Sequence, residues 1–108
     1  MTDVEYQTKQ LIREIRKSNE YNQFRRLDTK ISQEPELKEQ VDAYRRKRYE
    51  LQNAEVSAEE LLQMEEDCQE LLSKTVVHDF LVSEQKLMMM MQNILLSIAD
   101  AVSLDLEL

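Results

Sequence analysis

The chain has 108 residues, 33% of them charged, with no glycine, one proline and no tryptophan. Without glycine no residue favours positive φ, which excludes a phosphate-cradling loop or dinucleotide-binding turn and argues against a many-stranded β fold. The formal net charge of −8 divides unevenly, +2 over residues 1–54 and −10 over residues 55–108, which excludes a uniformly basic nucleic-acid-binding surface.

Apolar residues recur at three- and four-residue steps almost throughout, predicting an all-α protein of four or five helices in a single domain over residues 1–108. Val4, Leu11, Ile12 and Ile15 form the stripe of a first helix over residues 3–17. Ser18 is a candidate N-cap with Glu20 in the first turn behind it, and Tyr21, Phe24, Leu27 and Ile31 carry the pattern on. Residues 19–33 therefore read as a second helix rather than a continuation of the first. Pro35 suits a first helical position, because its φ is fixed and its missing N–H is not needed there. Leu37, Val41, Tyr44, Arg48 and Leu51 then make a heptad-like seam over residues 35–53, with Arg48 as its polar interruption.

The pattern lapses over residues 52–56, a loop. Ser57 and Glu60 have the spacing of a capping box, opening a helix over residues 58–73 that carries Leu61, Leu62, Met64, Cys68, Leu71 and Leu72. Cys68 falls in phase with the leucines, as a small core residue does, and Glu65-Glu66-Asp67 faces water. Thr75 is the expected cap of a final helix over residues 76–103, which would be about 42 Å long.

That last helix is the most informative segment. From Leu87 to Val102 only Gln92, Asn93, Ser97 and Asp100 are not apolar, and four consecutive methionines point around the whole helix. Apolar cover on several faces needs neighbours on several sides, and a second chain is the simplest supply. Leu87, Met88, Met91, Ile94, Leu95 and Ile98 are the expected seam of a homo-oligomer, most simply a two-fold dimer packed as a helical bundle. The alternative is an adaptable docking surface for another protein, since methionine side chains repack easily. The four polar interruptions leave the segment too short and too polar to span a bilayer.

Cys68 is the only cysteine and His78 the only histidine, so neither an internal disulfide nor a four-ligand structural zinc site is available. His78 beside Asp79 lacks a nucleophile or second histidine to complete a catalytic set, and a surface role is expected. The N-terminus shows no signal-peptide pattern, so a cytoplasmic location is expected. Arg45-Arg46-Lys47-Arg48, flanked by Tyr44 and Tyr49, is the sharpest cluster of charge. Four successive helical residues fan out around the helix and form no single stripe. Arg45, Arg46 and Arg48 are therefore read as charge-pairing or partner-contact residues, with direct RNA contact as the alternative. Glu84 interrupts the apolar stripe of the last helix and reads as half of a register-setting ion pair.

Three segments together resemble the YlbF/YmcA-like family of small helical bacterial regulators: LIREIRKSNEYNQFRRL at residues 11–27, PELKEQVDAYRRKRYELQN at residues 35–53, and FLVSEQKLMMMMQNILLSIADAVSLDLEL at residues 80–108. Within them the carriers are Pro-Glu-Leu, an aromatic followed by Arg45-Arg46, Glu-Leu-Gln, the pair Ser83-Glu84, and the Leu-x-x-Met-Met-Gln core. The resemblance implies a helical, cytoplasmic non-enzyme that self-associates through its C-terminal helix and joins other regulatory proteins. It also implies a complex acting on RNA processing by the endonuclease RNase Y, and through it on competence, sporulation and biofilm formation. Some such complexes carry cysteine-bound iron–sulfur clusters. This chain departs there: its tail has no cysteine, and a cubane takes four thiolates, so no cofactor is expected on Cys68 alone. A family paralogue acting only as a structural helical oligomer is the further alternative.

Overall fold

The structure, a computed structural model, describes residues 2–54 and 57–105. Among these residues it is all-helical, with six helices: α1 (Asp3–Lys17), α2 (Asn19–Ser32), α3 (Pro35–Asn53), α4 (Ala58–Asp67), α5 (Gln69–Leu72) and α6 (Thr75–Ala101). Glu55 and Val56 of the expected loop, and Leu106, Glu107 and Leu108 of the tail, lie outside the described residues.

The helix ends follow from the residues at them. Thr2 caps α1 by accepting from the Glu5 N–H at 3.1 Å, and Asp3 and Glu5 at the start with Arg16 and Lys17 at the end complement the helix dipole. Ser18 separates α1 from α2 by acting in both directions. Its hydroxyl donates to the Ile15 carbonyl at 2.6 Å and accepts from the Tyr21 N–H at 3.1 Å. Pro35 starts α3 at its first position. Ser57 accepts from the Glu60 N–H at 3.3 Å, the first half of the expected capping box.

Three expectations need correction. The helix expected over residues 58–73 is two, broken at Cys68, whose φ of −101° and ψ of 12° leave the helical region. Glu65, Glu66 and Asp67 crowd the end of α4 with no basic residue in its last turn, the arrangement the helix dipole disfavours. Cys68 is accordingly a half-buried junction residue rather than a core one. Thr75, expected as a cap, is the first residue of α6, and the Lys74 carbonyl takes the first helical bond from the His78 N–H at 2.9 Å.

The chain divides into two compact units. One runs from Leu27 to Leu81. Its core is Leu27, Ile31, Leu37, Val41, Tyr44, Met64, Val77 and Phe80, of which Val41, Val77 and Phe80 are the largest side chains fully enclosed. The seam read from the sequence of α3 is borne out: Leu37, Val41 and Tyr44 are buried, Arg48 and Leu51 half-buried. Burying Phe80 contributes roughly 1.5–3 kcal/mol. The Arg45 guanidinium lies 5.3 Å from the centre of its ring, a cation–π contact.

The other unit comprises the described residues up to Arg26 and those from Val82 onward. It is much less enclosed. Of the expected α1 stripe, Leu11 and Ile15 are half-buried, Val4 and Ile12 are exposed, and no residue of α1 is buried. Ala99 and Ser83 are the buried residues of this part of α6.

At the C-terminus of α6 the chain closes in a Schellman arrangement. Leu104 N–H donates to the Ala99 carbonyl at 2.8 Å and Ser103 N–H to the Asp100 carbonyl at 3.1 Å. Ser103 supplies the left-handed residue this turn needs, at φ 56°, because the chain has no glycine to do so. Ser103→Gly removes the Cβ penalty and is expected to stabilise the fold by about 0.5 kcal/mol after the added unfolded-state entropy, read as a small rise in melting temperature. Burial pushes the Tyr44 hydroxyl above the ordinary tyrosine range. Its folded-state pKa is raised, so the stability it contributes is fully present below the ordinary tyrosine value of about pH 10 and is lost above it, as pH rises through the raised folded value. Tyr44→Phe is expected to flatten the alkaline fall in melting temperature above about pH 10, where the wild type begins to lose this contribution.

Candidate interaction surface

The unenclosed part of α6 is where the structure leaves apolar surface in water. Val77, Leu81, Glu84, Met88, Met91, Leu95, Ile98 and Val102 follow one another at alternating steps of four and three, a single line along the helix. Val77 is buried, and Leu81 and Glu84 are half-buried. Beyond Glu84 the same line comes into the open, and Met88, Met91, Leu95, Ile98 and Val102 are 44–66% exposed. One face of one helix is thus covered by its own chain at one end and bare at the other. No charged residue falls between Leu87 and Ala99.

This placement divides the six residues expected as a seam. Met88, Met91, Leu95 and Ile98 lie on the bare line, whereas Leu87 and Ile94 are half-buried on a neighbouring face with Met90. Val102, which the sequence reading omitted, extends the line by one more step. A second bare line of Val82, Met89 and Leu96, spaced by seven, lies on another side of the helix. Met89 also lines a groove of about 510 Å³ with Glu20, Lys86, Met90, Asn93, Ile94 and Ser97.

The basic segment of α3 is distributed rather than gathered. Arg45 is half-buried, stacked on Phe80, with its Nη1 3.4 Å from Asp42 Oδ1. Lys38 Nζ meets Asp42 Oδ2 at 2.9 Å, one helical turn earlier. The hydrogen bond from Lys38, aided by the charges of Lys38 and Arg45, holds the Asp42 carboxyl below its ordinary range. Its folded pKa is depressed, so its contribution to stability is present above about pH 4 and is lost as pH falls below that. Arg48 is half-buried, while Arg46 is exposed. Arg45 thus contacts Asp42 on α3 itself and Phe80 on α6, the second a contact no sequence periodicity discloses. Glu84 is half-buried on α6, and His78 and Asp79 are exposed, as expected for surface residues.

Between α3 and the α4–α5 junction runs a groove of about 570 Å³ with Tyr44, Met64, Cys68 and Leu71 in its floor and Lys47 and Lys74 at its rim. Cys68 is the only thiol in the chain, and among the described residues no three histidine, cysteine or acidic side chains gather as metal ligands. The donor set of one thiol does not fit an iron–sulfur cluster, which takes four. Among the described residues no helix is long and apolar enough to cross a membrane.

Comparison with curated proteins and with solved structures returned no match. The family model for the control of competence regulator ComK, YlbF/YmcA, matches residues 4–103, which takes in every helix from α1 to α6. The resemblance carried by the three sequence segments is therefore borne out over nearly the whole chain, and the protein belongs to the YlbF/YmcA family of competence regulators.

Proposed function

We propose that the protein is a non-enzymatic regulatory subunit of the cytoplasm that forms a homodimer through α6 and works by presenting helical surface to other regulatory proteins. The observation that carries this reading is the bare line Met88, Met91, Leu95, Ile98 and Val102. Five apolar side chains about half exposed on one helix face are a poor surface for a lone small protein and a good one for association. Covering the exposed half of each is worth roughly 4–8 kcal/mol per chain, or about 8–16 kcal/mol for the pair, against an association cost of roughly 4–15 kcal/mol. The whole line must be engaged for a dimer to hold. The membership in a family of competence regulators supplies the regulatory half of the reading. Action through RNase Y-dependent RNA processing, with consequences for sporulation and biofilm formation, is the specific route we propose. A resident cofactor plays no part in it.

A second reading, direct RNA binding, rests on Tyr49, which is 70% exposed one helical turn from the exposed Arg46. Stacking on Tyr49 with phosphate contacts from Arg46 and Lys47 would give binding that weakens steeply with salt. The anchoring of Arg45 on Phe80 and Asp42 argues against it.

Met91→Asp places a charge in the middle of the bare line, where it would be desolvated without a partner. Light scattering at micromolar concentration is expected to give twice the chain mass of 12.9 kDa for the wild type. A Met91→Asp variant that stays helical is expected to give the mass of a single chain. A single-chain mass for the wild type would leave the line as a docking surface for a different protein. Electrophoretic shift of single-stranded RNA is expected to be absent at physiological salt. Binding that disappears with Tyr49→Ala and Arg46→Ala would establish the second reading instead.

A further inference from the structure

From Ala58 to Leu72 the chain has no glycine, proline or β-branched residue and consists mostly of glutamate, leucine and glutamine, all strong helix formers. Sharp breaks in helices ordinarily mark proline or glycine, and neither is present here. Yet the hydrogen-bond ladder stops at the Cys68 N–H, which donates to the Met64 carbonyl at 3.1 Å. It resumes at the Leu72 N–H, which donates to the Cys68 carbonyl at 2.9 Å. Neither side of the break is capped: Cys68 makes no side-chain hydrogen bond at the start of α5, and the last turn of α4 holds no basic residue. With four residues, α5 is too short to stand as a helix by itself. We propose that the α4–α5 junction is a two-state joint, broken in this structure and continuous in a second form of the same chain. The inference concerns the Leu27–Leu81 unit alone and is independent of self-association through α6.

Opposing terms of similar kind hold the two forms. The broken form gains packing: Met64 is buried, and Leu71 and Leu72 beyond the break are half-buried. A bend at Cys68 lets residues on both sides of it reach the same core. The continuous form gains local bonding, because the amides between Cys68 and Leu72 regain partners four residues back. It also keeps the apolar line intact, since Leu61, Met64, Cys68 and Leu71 follow one another at steps of three, four and three. Against it stands charge. Straightening sets Glu66 one turn from Glu70, where like charges repel, and no base lies between Leu51 and Ser73 to separate them. The joint acts on the groove beside it. Met64, Asp67 and Cys68 line that groove opposite α3, so the form of the joint sets the groove's shape. A molecule that enters the groove in one form only would hold the joint in that form.

The test is a distance measurement between two spin labels on the full chain. Glu59→Cys and Ser73→Cys, both at exposed positions, carry the labels. The native thiol is replaced by Cys68→Ala in one chain and by Cys68→Gly in another. Cys68 is half-buried and outside the core, so the fold tolerates either change. A continuous helix sets residues 59 and 73 about 21 Å apart along its axis, and a broken one sets them closer. Alanine is favoured over glycine inside a helix by an amount that moves a two-state ratio about fivefold. The expected result is two label separations in each chain, with the ratio of long to short about five times higher for Cys68→Ala than for Cys68→Gly. A single separation shared by both chains would overturn the proposal. So would two separations whose ratio is the same in both, because the junction would then not respond to helix propensity.

Discussion

The burial of Val77 and Phe80 is the constraint on which the Leu27–Leu81 unit depends. Both side chains are enclosed in the Leu27–Leu81 unit, and both belong to the first two turns of a helix that continues to Ala101 without interruption. Residues that follow one another at four- and three-residue steps share one side of a helix. Met88, Met91, Leu95, Ile98 and Val102 are spaced in that way, so their exposed side chains form one bare line instead of scattered positions.

Charge in this chain serves packing before it serves recognition. Arg45 lies over Phe80 and beside Asp42, and Asp42 is held also by Lys38, so a cation and an anion of α3 are committed to the outer edge of the same core. A guanidinium can do this because its flat face suits an aromatic ring while its edge still reaches a carboxylate. Arg46, Lys47 and Tyr49 remain exposed on that segment. The stretch from Leu87 to Ala99 is the complementary case, with no charged residue between its ends.

With no glycine in the chain, its helix boundaries rest on other residues. Helices end here by hydroxyl caps at Thr2, Ser18 and Ser57, by a proline start at Pro35, and by a serine forced into the left-handed region at Ser103. The break at Cys68 uses none of these devices. It occurs where three acidic residues meet the negative end of α4, and it opens one wall of the groove that holds Cys68 and Tyr44.

The sequence by itself determined the helical class, the separation of α1 from α2 at Ser18, the start at Pro35, and the seam Leu37, Val41 and Tyr44, because caps and three- to four-residue periodicity are local properties of the chain. It also located the candidate association segment, since a stretch as apolar as Leu87 to Val102 cannot be hidden on one face. Only the tertiary structure decided which of those residues remain in water. Leu87 and Ile94 carry the same hydrophobic signal as Leu95 and Ile98, yet the first pair is half-buried and the second exposed. The stacking of Arg45 on Phe80 joins residues far apart in the sequence, on α3 and α6, and no local pattern encodes such a contact. Periodicity states which residues share a face of a helix; what covers that face depends on where the remainder of the chain packs.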